Sequence, residues 1–173
     1  MMLFALLCLL TGFAVKLTDI LVDDRKKFSR ISYAFGIFYG FLMAYTVILF
    51  PHFSSLVFGV LFAVILTKKI DTIPHVLGVV IFFVVLIFSG LPSVDPVFFS
   101  IFLFSSICDE IGNDIKDRKT SSVLYKIIGS RILLEVSAMA ISYVSGNWYY
   151  FLGILLFDIA YIATEKSAKN YIL

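Results

Sequence analysis

The sequence predicts an all-α protein, a polytopic membrane bundle of about seven transmembrane helices with a parallel internal repeat. Three observations lead there. The 173 residues are 61% hydrophobic and 17% aromatic, with only 15% charged, far from the balance of a soluble domain. The apolar residues gather into seven segments close to the roughly 20 residues that a spanning helix needs. All fourteen Lys and Arg fall on one side of those segments, the bias that orients membrane helices.

The first segment, about 2–18, has neither a basic leader nor a small-residue cleavage site before "KLTDILVDD" and is read as a mature helix, not a signal peptide. The others follow at about 32–50, 53–67, 75–91, 95–110, 127–145 and 148–164, separated by short connections. The first, third and fifth reach a spanning length only if helix continues into the charged stretch behind each. Cys8 and Cys108 lie in apolar segments without metal-type spacing and are expected to pack. The whole chain, 1–173, is expected to be one transmembrane domain with pseudo-repeats at about 1–74 and 92–173.

The basic residues occupy Lys16 to Arg30, Lys68 and Lys69, Lys116 to Arg131, and Lys166 and Lys169. The opposite connections, "PHFSS", "GLPSVDP" and "SGN", hold none and a single acid, Asp95. This predicts a multi-pass protein of the cell membrane with its N-terminus outside and its C-terminus cytoplasmic. The acids crowd the same face as the bases, which a simple anchor for anionic head groups would not need.

"KLTDILVDDRKK" closes the first segment and "ICDEIGNDIKDRK" the fifth. The two stretches are separated by an even number of spans and so emerge on one side, as in a parallel repeat. Asp19 and Asp23 are four apart, as are Asp109, Asn113 and Asp117, so each set shares a helix face. Like charges at that spacing repel, and oxygen ligands without His or Cys suit Mg²⁺, which completes its shell with water and phosphate oxygens. Solvated acids that merely balance neighbouring bases are the competing explanation for either cluster taken alone.

"DEIGNDIKDRKTSSVLYKIIG" resembles the second aspartate motif of the UbiA superfamily of intramembrane prenyltransferases, with Asp109, Asp117, Arg118, Lys119 and Gly129 on the motif. "LTDILVDDRKKFSR" resembles the first motif through Asp19, Asp23 and Arg30, and "ILTKKIDTIPHVLG" resembles the Lys-containing connection through Lys68 or Lys69. The resemblance implies a UbiA-like ring of helices around a cavity and an alkyl transfer from an isoprenoid diphosphate, held through Mg²⁺, to a lipid or aromatic acceptor in the membrane. It implies Asp19, Asp23, Asp109 and Asp117 as catalytic residues. The metal set would be Asp19, Asp23, Asp24, Asp109, Asn113, Asp114 and Asp117, and Arg30, Lys68, Lys69 and Lys119 would contact the diphosphate.

The chain departs from the pattern at Thr18, where the family has Asn, and at Asn113, a central carboxylate position. It also lacks two of the family's helices. A non-catalytic isoprenoid- or lipid-binding protein, or a subunit of a larger membrane assembly, is therefore the alternative, and a homo-oligomer or membrane partner could close the cavity. No nucleic-acid partner is expected. A cation transporter would place paired acids deep in the spans, where only Asp158 is found. Arg131 and Glu135 are expected to pair along one helix. His52 and His75 beside Pro51 and Pro74 are read as interfacial, without companion ligands for zinc.

Overall fold

Long apolar runs with few internal Gly or Pro have one way to satisfy every backbone group within the segment, and the chain takes it by folding into helices. The computed structural model describes residues 1–23, 30–118 and 132–172, with side chains for all of these except 23, 114–118 and 169–172. The described elements are α1 (Met2–Asp23), α2 (Arg30–Leu49), α3 (Ser54–Leu66), α4 (Ile73–Ser89), α5 (Pro96–Arg118), α6 (Ile132–Ser145) and α7 (Tyr149–Ile172), with a 3-10 turn at Pro51–Phe53. No strand occurs among the described residues. Met2–Val22 and Arg30–Leu49 are long and apolar enough to cross a membrane; Pro51–Leu66, Ile73–Ser89 and Ile132–Ser145 are shorter apolar helices.

Helix α1 continues through Asp23 and α5 through Arg118, as the short apolar lengths of the first and fifth segments require. The third segment differs, for α3 stops at Leu66. The Lys68 and Lys69 amides turn back to the carbonyls of Ile65 and Val64, and Thr67 Oγ1 donates to the Ala63 carbonyl at 2.8 Å. This is a Schellman closure, which needs a left-handed residue at its corner. Here that residue is Lys68, at φ 57°.

The described chain divides into two compact units, each drawing segments from both pseudo-repeats. The first comprises Met1–Pro51, Asp71–Pro92 and Leu152–Leu173, and the second His52–Ile70 and Ser93–Phe151. Within the first, α2 packs on α4 through the Gly36 and Gly40 pair of "GIFYG". A Cβ on Gly36 would overlap the Pro74 carbonyl, one on Gly40 the Gly78 carbonyl, and one on Gly78 the ring of Tyr39. Removing those three methyl groups lets the two backbones meet, the usual basis of small-xxx-small helix pairs. Gly12 of α1 lies equally close to the Phe157 carbonyl of α7.

In the second unit Gly59 of α3 meets Phe102 of α5, and Ser55 Oγ accepts from the Asp95 amide at 2.9 Å. Asp95 then caps its own helix, Oδ1 accepting from the Val97 and Phe98 amides at 2.9 and 3.0 Å. Phe98 and Phe102 both close on the Tyr150 ring.

Hydroxyl side chains occupy buried positions in both units, Ser32, Thr46, Ser54, Ser106 and Ser142 among them. Large apolar side chains such as Phe41, Ile87, Phe88, Phe104 and Val136 face outward. Cys8 is buried as expected, whereas Cys108 is exposed on α5 instead of packed.

Gly40→Ala forces the α2 and α4 backbones apart and is expected to cost on the order of 1–3 kcal/mol, measured by thermal unfolding of the detergent-solubilised protein. Lys68→Gly relieves a left-handed side chain and is expected to stabilise by about 0.5–1 kcal/mol in the same assay.

Candidate functional site

Asp19 occupies the last turns of α1, four residues before the helix ends at Asp23. Its carboxylate is met from two other helices of the first unit. His75, in the first turn of α4, approaches Oδ1 with Nε2 at 2.9 Å, and Tyr161 of α7 donates its hydroxyl to Oδ2 at 2.7 Å. A ring nitrogen facing a carboxylate carries a proton, so the other nitrogen, Nδ1, is left for Tyr39 of α2 at 3.0 Å. Tyr39 Oη also lies 3.2 Å from the His75 backbone carbonyl, so its one hydrogen is shared between these two acceptors. Four helices thus contribute to one line of contacts, Tyr39 to His75 to Asp19 to Tyr161.

The line continues past Tyr161. Lys16, one turn before Asp19 on α1, places Nζ 3.4 Å from the Tyr161 hydroxyl, 4.5 Å from the centre of its ring and 3.5 Å from Glu165. The buried end is Tyr39, 6% exposed, while the Asp19 side chain keeps 25% of its surface open. Helix spacing explains the grouping. Lys16 and Asp19 are three apart on α1 and Tyr161 and Glu165 four apart on α7, so each pair lies on one face. Asp158, three residues before Tyr161, is buried on the same helix. An open groove of about 410 Å³ runs in this unit between Leu9, Leu10 and Phe13 of α1 and Ala160 and Ala163 of α7.

The second unit holds Asp109, 2% exposed. Its two oxygens accept from the first-turn amides of α6, Leu133 N–H at 3.2 Å and Leu134 N–H at 2.8 Å. Among the described residues these amides have no partner within their own helix, and a carboxylate brought from α5 satisfies them and opposes the positive end of the α6 dipole. Asn113, one turn further along α5, is partly exposed, and Lys68 and Lys69 of this unit are exposed.

Of the remaining expected site residues, Arg30 opens α2 and is exposed, in the same unit as Asp19. Asp23, Asp114 and Asp117 fall on α1 and α5 at helical spacing, but their side chains lie outside the described residues, as do Asp24, Lys119 and Arg131 entirely. Among the described residues no group of three or more His, Cys, Asp or Glu is arranged to hold a metal ion.

The Mg²⁺ that the motif resemblance implies can be tried against the described donors. Asp19 fits. It is partly open, and a carboxylate with one hydrogen bond to each oxygen retains lone pairs for a cation, as metal-bound carboxylates held by outer-shell donors do. Asn113 fits as a partly exposed amide oxygen. Asp109 does not, because it is enclosed and committed to the α6 amides. Tyr39, Tyr161 and Lys16 were not singled out from sequence as site residues, and His75 was read as interfacial. The only local signal was the position of Tyr39 between the glycines of "GIFYG", which marks a side chain facing a close helix crossing.

Asp109→Ala strips a charged cap from α6 and is expected to lower stability by about 1–2 kcal/mol. Hydrogen exchange should accelerate at the Leu133 and Leu134 amides and stay unchanged in the first unit. No protein-family model, characterised protein or solved structure matches the chain, so the likeness of its two acidic stretches to prenyltransferase motifs rests on their residues alone.

Proposed function

We propose that the chain is a multi-pass membrane protein of UbiA-like prenyltransferase type, binding an isoprenoid diphosphate through Mg²⁺ at its cytoplasmic face. The observation that carries this reading is helix continuity. Both α1 and α5 remain helical through their charged ends, so Asp19 and Asp23, and Asn113 and Asp117, keep the one-turn spacing that the two aspartate motifs demand. Buried hydroxyls and outward-facing Phe, Ile and Val suit a surround of lipid. The groove beside α1 and α7 lies in the same unit as Asp19 and offers an open apolar surface.

Bound Mg²⁺ would neutralise charge on the diphosphate and assist its departure. The chain's own part would be to hold Asp19 at the end of α1 and to offer the positive charge of Arg30, in the same unit, to the diphosphate. A second reading, binding of an isoprenoid or lipid without turnover, is favoured by two features of α5. Asp109 is spent on capping α6, and Asn113 brings a neutral amide to the centre of the motif.

Calorimetric titration of the purified full chain with prenyl diphosphates of several lengths tests the reading. Binding is expected only with Mg²⁺ present and to weaken at least tenfold in Asp19→Asn, by analogy with ordinary losses of a metal ligand. Binding indifferent to Mg²⁺ would sink it. Product formation with a panel of aromatic and lipid acceptors marks a transferase, and binding without product marks the second reading.

A further inference from the structure

We infer that His75 and Tyr161 are positioning residues for Asp19, holding its carboxylate from α4 and α7 so that its open side is turned toward a divalent cation. The inference rests on the Mg²⁺-diphosphate reading above and adds residues that the motifs do not contain.

Three features of the geometry argue for it. Each oxygen of Asp19 has its own donor from a different helix, His75 Nε2 at 2.9 Å and Tyr161 Oη at 2.7 Å. Two such anchors fix both the position and the twist of the carboxylate plane. Solvation alone does not call for this, since a side chain with 25% of its surface open can turn to water.

Each donor is itself held. Lys16 donates to Tyr161 Oη at 3.4 Å, which fills the acceptor side of that hydroxyl and leaves its hydrogen for Asp19. Tyr39 reaches both Nδ1 and the backbone carbonyl of His75, at 3.0 and 3.2 Å, and so sets the ring's rotation. Tyr39 is in turn confined, because Gly78 leaves only enough space for its ring.

The arrangement is also directional. Tyr39 at one end of the line is 6% exposed, whereas the Asp19 side chain keeps 25% of its surface within reach of water. A ligand already oriented in this way loses less freedom when it binds a cation, which is how outer-shell partners raise metal affinity.

The test uses Mn²⁺ as a paramagnetic probe, titrated into the full chain in detergent with inorganic diphosphate present and followed by electron paramagnetic resonance. Tyr161→Phe and His75→Leu are each expected to weaken Mn²⁺ binding roughly 10–100-fold. His75→Gln, which keeps an N–H at the same reach, is expected to restore most of the affinity. Thermal unfolding run alongside separates positioning from stability, because Tyr161→Phe keeps its ring and should leave the melting midpoint nearly unchanged. If Asp19→Asn abolishes Mn²⁺ binding while Tyr161→Phe and His75→Leu bind as the parent does, positioning is overturned and the metal reading survives. If Asp19→Asn binds Mn²⁺ as well as the parent, both fall. Equal weakening in His75→Leu and His75→Gln, tracking a common loss of melting temperature, would reduce His75 to a packing role and overturn its part.

Discussion

The close approach of α2 and α4 is the constraint on which the first unit depends. Gly36 and Gly40 let the α2 backbone meet the Pro74 and Gly78 carbonyls of α4, and the space left at Gly78 is filled by the ring of Tyr39. That ring is what reaches His75, and His75 is what reaches Asp19. The buried end of a polar chain across four helices therefore rests on three residues that have no side chain. The order of dependence runs from backbone sterics to ring placement to carboxylate orientation, and a change at the first step is felt at the last.

How much of this could be read from the chain varies with the range of the interaction. Helix positions were legible because an apolar run of suitable length can satisfy its backbone only by folding on itself, and the continuation of α1 and α5 into charged residues followed from arithmetic on length. The early end of α3 was not legible. "LTKKID" contains no glycine, and a lysine at a left-handed corner has no signature in the sequence. The Asp19 contacts were also beyond reach. Tyr161 is 142 residues away, and nothing local distinguishes it from the chain's other tyrosines. His75, read as interfacial without a companion, gains one only when α1 and α4 are set side by side.

Two acids take on meanings that spacing cannot supply. Asp95, alone among the short connections that lack basic residues, caps α5 from within its own chain segment, and Asp109 caps α6 from a neighbouring helix. In both cases the carboxylate answers backbone amides that a helix start leaves unsatisfied. Asp19 is different in kind, since its partners are side chains and it keeps an open side. The two aspartate stretches look equivalent as text, yet their leading residues do different work in the folded chain.

In the proposed membrane setting the Schellman closure at Lys68 would have a further consequence. Pro51–Leu66 extends only about 24 Å at the helical rise of 1.5 Å per residue, several ångströms less than a typical hydrocarbon core of about 30 Å. A helix that short is accommodated by local thinning of the membrane or by flanking side chains that stretch toward the interface. Lys68 and Lys69, exposed at its end, are the flanking side chains. In the proposed membrane setting the lipid surface would be drawn inward around them, so that the phosphate layer of one leaflet dips toward this lysine pair.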